Sequence, residues 1–179
     1  MTLKKASKPK RPAIWDCRAA FDAFAGGDFR HWQGLPTGCE LATIADGDTL
    51  RRQGEGTGLL GRGHASYRLI AVEHYAEPIR VWHADGTILL MEVRYPVIVP
   101  DLRDLLESLG KPDALLDSHF SGIVMEKSEW VYVSKGLSLF INPDNSLLLR
   151  LVGYCPTSVD DYHLKLRLHF ETRRRPGFL

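Results

Sequence analysis

The chain has 179 residues, and its 23 Lys plus Arg nearly balance its 22 Asp plus Glu, for a formal net charge of +1. Apolar residues make up 44% and charged residues 25%, which is ordinary for a globular protein. These values exclude a disordered chain, a collagen-like chain and a nucleic-acid binder that works by bulk positive charge. The length allows one domain or two small units that share a core.

The ends of the sequence and its cysteines favour a cytoplasmic protein. No run approaches the roughly 18 consecutive apolar residues that a membrane-spanning helix needs. Residues 1–12 are basic and lack the apolar stretch of a secretory signal, so we expect a flexible basic tail there and a second one over 173–179. The three cysteines are widely spaced and form no C-x-x-C motif, so each thiol is expected to be a small buried residue in a reducing compartment. These cysteines are Cys17, Cys39 and Cys155.

The first half of the chain predicts a helix, a loop and then antiparallel strands. Apolar residues favour one side of 14–25, which predicts a helix that a glycine pair ends. Residues 54–63 hold five glycines and predict a flexible loop. Their formal G-x-G-x-x-G lacks the preceding strand and the following helix of a dinucleotide site. From Tyr67 the pattern alternates with a period of two, which predicts strands over 67–75, 79–83 and 87–95.

The second half predicts the same order of elements. Leucines at helical spacing predict a helix over 101–109. Alternating residues predict strands over 129–133, 137–142 and 146–154. A final helix is expected to begin at Thr157 or Ser158, with an acidic residue three positions later to complete a capping box.

The two predicted hairpins match each other by pattern, which indicates an internal repeat. Residues 79–96 and 137–156 each hold two strands, a polar turn, and then a tyrosine and a proline. We therefore predict an α+β fold of two degenerate helix–antiparallel β-meander repeats, over 13–99 and 100–172, in one compact unit. Helices are expected to cover one face of the sheet and to leave the other open to solvent. An exposed sheet face favours a protein partner, because small substrates prefer concave pockets.

Short motifs of the second half resemble a known group of bacterial domains. The runs Leu109-Gly110-Lys111-Pro112, Glu129-Trp130-Val131-Tyr132 and Gly136-Leu137-Ser138-Leu139-Phe140, followed by Asp144, make a helix–LGxP–WxY–hairpin pattern. This pattern resembles that of β-lactamase-inhibitor-like and outer-membrane-assembly lipoprotein domains, well over the second half and loosely over the first. Tandem copies in that group grip a target with a concave sheet, so the resemblance implies an inhibitor.

The chain departs from that group in ways that bear on its compartment. It shows no signal peptide, no lipid-anchor cysteine and no cysteines that the sequence pairs. A cytoplasmic inhibitor, such as an immunity protein that neutralises a bacterial toxin, fits the same architecture.

The candidate binding residues are aromatic and charged residues of the predicted open sheet face. Trp, Tyr and Arg are enriched among the residues that dominate binding energy at protein interfaces. A patch with both signs of charge favours a protein partner over a nucleic acid. The predicted partner-binding residues are Arg80, Trp82, Glu92, Arg94, Trp130, Tyr132 and Arg150.

The leading prediction is a non-enzymatic protein-binding inhibitor that occludes the active site of a cognate toxin and needs no cofactor or metal. The alternative is a small hydrolase or metal-dependent enzyme in which His74 and His83 lie on neighbouring strands, near carboxylates, and bind a metal or exchange protons. A third hypothesis, a nucleic-acid binder that uses the basic termini, is disfavoured by the near-neutral net charge. We expect no membrane partner.

Overall fold

The computed structural model describes residues 14–44, 50–57, 63–69, 78–96, 101–120 and 122–169. Both predicted tails, 1–12 and 173–179, lie outside these ranges. Within them, helices and one antiparallel sheet make an α+β fold, which confirms the predicted fold class. None of the described helices is long and apolar enough to cross a membrane.

The helices are short, and polar side chains cap their first turns. The Asp101 carboxylate accepts hydrogen bonds from the backbone amides of Arg103 and Asp104, in the first turn of the helix over 102–109. The Ser158 hydroxyl accepts one from the backbone amide of Asp161, in the helix over 159–161. The last helix and the two helical turns that follow it occupy residues 159–169, which we call the C-terminal helical segment. The bounds are α1 Cys17–Gly26, α2 Leu41–Ile44, α3 Leu102–Leu109 and α4 Val159–Asp161, with a 3₁₀ turn at Val133–Lys135 and, after α4, a π-helical turn at Tyr162–Leu166 and a 3₁₀ turn at Arg167–His169.

The described strands form one eight-stranded sheet in which every neighbouring pair is antiparallel. Its order is β1-β2-β3-β4-β8-β7-β6-β5, so each half of the chain adds a four-stranded meander that runs from an edge to the centre. The halves join where β4 pairs with β8. The bounds are β1 Leu50–Thr57, β2 Gly63–Leu69, β3 Ile79–Ala84, β4 Thr87–Arg94, β5 Ala114–Phe120, β6 Ile123–Tyr132, β7 Leu137–Ile141 and β8 Leu148–Tyr154.

The sheet has more strands than the sequence predicted. β1 occupies part of the glycine-rich run that was predicted to be a loop, and Gly54 and Gly56 pair with β2. β2 begins four residues before the predicted strand 67–75, of which residues 70–75 lie outside the described ranges. β5 was not predicted at all. Backbone pairing with a neighbouring strand overrides local composition in both meanders.

Both faces of the sheet carry helical segments. The first face holds the inward side chains of β3 and β4 at Val81 and Met91, and residues of α1, α2 and α3 pack in the same apolar cluster. The second face holds Trp82 and Leu90, and residues of the C-terminal helical segment pack beside them. The expectation that helices cover one face and leave the other open is therefore wrong, because residues 159–169 pack on the second face.

A disulfide joins Cys17, at the first residue of α1, to Cys39, which precedes α2. This corrects the prediction of three separate thiols. Cys155 is free and half-buried. The pairing fixes α1 against the segment whose Glu40 bridges to Thr87 of β4.

Buried tyrosines predict a loss of stability at alkaline pH. Burial, with a smaller contribution from Asp113, raises the pKa of Tyr132 to about 12. Burial also holds the pKa values of Tyr154 and Tyr162 well above the ordinary range, and Glu129 adds to the shift. Unfolded tyrosines ionise near pH 10, so the stabilisation is complete below about pH 10 and is lost as the pH rises towards about 12.

We expect tyrosinate absorbance and loss of circular dichroism to rise together in one cooperative alkaline transition. A gradual rise in absorbance with unchanged circular dichroism would show instead that these hydroxyls ionise in the folded protein.

Candidate protein-binding surface

A single buried carboxylate organises five of the seven predicted binding residues on the second face. Glu92 on β4 is 1% exposed, and it accepts hydrogen bonds from Trp82 Nε1 at 3.0 Å and from Arg94 Nε at 3.3 Å. Arg150 Nε lies 3.4 Å and Arg80 Nη1 lies 3.8 Å from its carboxylate oxygens. We call these five residues the Glu92 cluster.

Strand register explains why these residues meet. Arg80 is the cross-strand partner of Glu92, and Arg94 is the cross-strand partner of Arg150. Residues two apart on a strand share a face, so Glu92 and Arg94 project together. The alternation visible in the sequence therefore correctly predicted that Glu92 and Arg94 share one face of the sheet.

The three arginines of the cluster differ in exposure: one is buried and two can be reached by a partner. The Arg150 side chain is 4% exposed, and its guanidinium lies 4.9 Å from the ring centre of Phe140. The side chains of Arg80 and Arg94 are 33% and 38% exposed. Three guanidinium charges face one carboxylate, so the cluster presents excess positive charge through its two accessible arginines.

Trp82 supports the cluster from within the protein. Its ring is 5% exposed, its Nε1 donates to Glu92, and the Arg80 guanidinium lies 5.9 Å from the centre of the ring. A buried indole N–H needs an acceptor, and Glu92 supplies it. Trp82 therefore positions the charged groups and offers little surface of its own to a partner.

A bent hairpin arm, whose described residues are 117–120 and 122–128, closes one end of this surface. β7 pairs with β6 only over 129–132, so the arm extends beyond β7. The ladder is irregular between Leu116 and Ser118, where the Asp117 carboxylate accepts from the Lys127 amide at 2.9 Å. Such irregularities bend a strand.

The bend brings the tip of the arm back over the second face. β5 lies four strands from β4, about 19 Å away in a flat sheet at about 4.8 Å per strand. Yet the ring of Phe120 lies 5.5 Å from that of Tyr95, just after β4, and 5.6 Å from the Arg150 guanidinium. The arm thus shields Arg150 and leaves Tyr95, which is 43% exposed, beside the Glu92 cluster.

A second buried carboxylate, which was not among the residues predicted from the sequence, holds the base of the arm. Glu129 is fully buried and accepts from Arg167 Nε at 2.6 Å and from the Tyr162 hydroxyl at 2.5 Å. Arg167 also donates through Nη2 to the backbone carbonyl of Asp117. The sequence offered one signal, a glutamate directly before Trp130 in a predicted strand. Where both faces of a strand are buried, such a charge needs a partner of opposite charge.

Trp130 and Tyr132 do not belong to this surface. Both face the first side of the sheet, where Trp130 packs against the helix-covered cluster and Tyr132 is 2% exposed. The Tyr132 hydroxyl donates to the Gly110 carbonyl, just after α3, at 3.2 Å. The alternation correctly predicted that Trp130 and Tyr132 share a face of the sheet. It could not show that this face is opposite to the one that carries the Glu92 cluster.

The histidines of the enzymatic alternative are not brought into a described site. His74 lies outside the described residues. His83 lies on β3 against Gly63, and its buried Nδ1 has no hydrogen-bond partner in the described part of the chain. No group of His, Cys, Asp or Glu suited to a metal ion occurs among the residues that the structure describes. The hydrolase or metal-enzyme alternative therefore stays a prediction.

Comparison with known proteins adds no relative: no family model matches the chain, and neither the curated proteins nor the solved structures give a significant match.

Proposed function

We propose that the protein is a non-enzymatic protein-binding inhibitor, of the kind that an immunity protein represents, which occludes the active site of a cognate toxin. The Glu92 cluster is the observation that carries this proposal. Its charged side chains are held in place before any partner arrives, so binding orders few new rotamers. Arginine is also the cation best suited to interfaces, because its planar head group makes paired hydrogen bonds to a carboxylate.

The architecture supports the same function. Inhibition by occlusion needs complementarity and rim charges but no catalytic group. The edge-to-centre strand order in both halves supports the proposed duplication. The resemblance of the second half to inhibitor-like domains points to the same class of activity. Fold alone does not determine function, so the proposal depends on the surface residues.

We further propose that the inhibitor acts in the cytoplasm. The Cys17–Cys39 disulfide makes this part of the proposal directly testable, because reducing compartments keep such pairs as thiols.

Reversing the charge of the accessible arginines should abolish partner binding. We expect the wild-type protein to retain one stoichiometric partner from its host lysate and to inhibit that partner's activity at equal stoichiometry. The Arg80→Glu/Arg94→Glu variant should lose both effects, since like charges at an interface are strongly unfavourable. The measurements are affinity purification with mass spectrometry and titration of the partner's activity.

A matched variant controls for the change in net charge. Arg103 on α3 and Lys111 just after it are both exposed, and α3 packs on the first face. Arg103→Glu/Lys111→Glu should therefore keep partner binding and inhibition. Retention of the partner by the Arg80→Glu/Arg94→Glu variant would place the contact elsewhere, and a purified partner whose activity is unchanged would refute inhibition.

A further inference from the structure

The Glu92 cluster holds more hydrogen-bond donors than its own carboxylate can satisfy. A guanidinium carries five N–H donors, whereas a carboxylate offers about four acceptor positions. In the described part of the chain, the one hydrogen bond of the Arg94 side chain runs from Nε to Glu92. Arg80 makes a 3.8 Å ion pair there and lies over the Trp82 ring, and its buried Nε has no hydrogen-bond partner in the same part of the chain. Two partly exposed guanidinium groups therefore keep unused donors at the surface.

The two arginines are also placed to act together. Arg80 approaches one oxygen of Glu92 and Arg94 approaches the other. Their head groups thus flank a single carboxylate, and their α-carbons lie diagonally across β3 and β4, a spacing of about 7–8 Å. A second carboxylate that arrives from outside would meet two neighbouring guanidinium groups, each of which can donate paired hydrogen bonds.

The surroundings favour a carboxylate from a protein over a phosphate from a nucleic acid. The exposed Tyr95 ring and the Phe120 ring border the cluster and add aromatic surface, which is typical of protein interfaces. The whole chain carries a formal net charge of only +1, which is too little for binding that depends on many phosphates.

We propose that Arg80 and Arg94 together bind an aspartate or glutamate side chain that projects from an acidic segment of the protein partner. Glu92 is a positioning residue, which holds the two guanidinium groups beside each other, one at each of its oxygens. This inference rests on the proposed function, because it names the chemistry of the partner at the same surface.

The test uses the full-length protein and defined probes. A short fluorescein-labelled glutamate-rich peptide is titrated at low and at high salt by fluorescence anisotropy, beside its glutamine counterpart and a single-stranded oligonucleotide of equal length. We expect salt-sensitive binding of the glutamate peptide, and binding that is about tenfold weaker for Arg80→Gln/Arg94→Gln. The matched variant Arg103→Gln/Lys111→Gln should bind like the wild type. Equal binding by all variants, no binding by the wild type, or tighter binding of the oligonucleotide overturns the inference.

Two further variants separate positioning from net charge. Glu92→Gln makes the site more positive, so an electrostatic role alone predicts tighter peptide binding, whereas a positioning role predicts weaker binding. Arg94→Lys keeps the charge but removes the fork, and we expect it to weaken binding as well. If Glu92→Gln fails to fold, Arg94→Lys and the glutamine variants still decide the question.

The outcomes also distinguish this inference from the proposed function. A wild-type protein that captures and inhibits a partner but ignores the glutamate peptide refutes the carboxylate contact alone. A protein that binds the peptide through Arg80 and Arg94 but inhibits no partner refutes the inhibitor function alone.

Discussion

Replacing Glu129 with leucine should lower the free energy of unfolding by about 3–5 kcal/mol, the usual cost of removing one partner from a buried ion pair. The Arg167 side chain is only 8% exposed and would keep its charge without its carboxylate. The buried Tyr162 hydroxyl would lose its 2.5 Å acceptor at the same time. We expect the C-terminal helical segment to loosen on the second face, because Glu129 accepts from both side chains, while the Arg167–Asp117 hydrogen bond and the stacking of Tyr162 on Tyr154 remain.

Urea unfolding monitored by circular dichroism measures this effect, and a double variant tests its cause. Glu129→Leu/Arg167→Leu should recover much of the lost stability, because a buried ion pair can often be replaced by apolar residues at little cost.

The exposed pair Arg30–Asp104, at 2.7 Å, provides the comparison. Asp104→Asn should cost at most about 1 kcal/mol, as surface pairs do. If Glu129→Leu also lowers the free energy of unfolding by no more than about 1 kcal/mol, the buried Glu129–Arg167 pair stabilises the fold no more than a surface pair does.

The features that the sequence predicted well depend on local patterns. Asp85-Gly86 between two alternating runs placed the β3–β4 hairpin, and the leucine spacing placed α3. The same alternation put Glu92 and Arg94 on one face. These signals are contained within about ten residues, so they do not require knowledge of the rest of the fold.

The features that it missed depend on contacts between distant segments. Glu129 meets Tyr162 and Arg167 across sequence separations of 33 and 38 residues. β1 is a strand because β2 pairs with it, although glycine is unfavourable in strands. Partial burial of Trp130 follows from its packing against the apolar cluster of the first face, whose members come from distant segments, and alternation within β6 cannot predict this.

The hairpin arm shows how such a distant contact shapes the candidate site. The backbone carbonyl of Asp117, at the irregular part of its ladder, accepts a hydrogen bond from Arg167. This bond links the arm to the C-terminal helical segment. The bent arm in turn places Phe120 over Arg150 of the Glu92 cluster. Loosening the Glu129 pair should therefore weaken partner binding indirectly, even though neither Glu129 nor Arg167 belongs to the proposed contact surface.

Removing the disulfide with Cys17→Ser/Cys39→Ser should lower the free energy of unfolding by about 3 kcal/mol, because the bond closes a loop with a sequence separation of 22 residues. A reductant should lower the urea midpoint of the wild type to that of the double variant, and it should leave the midpoint of the double variant unchanged. Cys155→Ser is the control, since that thiol is free and its Sγ lies 3.3 Å from the Thr37 hydroxyl. A wild type that is indifferent to reductant would show that α1 is held by packing alone.

The same bond decides the proposed compartment. Alkylation of the protein at the moment of extraction from its host, followed by mass spectrometry, counts the thiols that exist in the cell. Three modified cysteines would support the cytoplasmic proposal and would mean that the protein works there without the stabilisation of the disulfide. One modified cysteine would place the protein in an oxidising environment, and its toxin partner would then have to be met outside the cytoplasm.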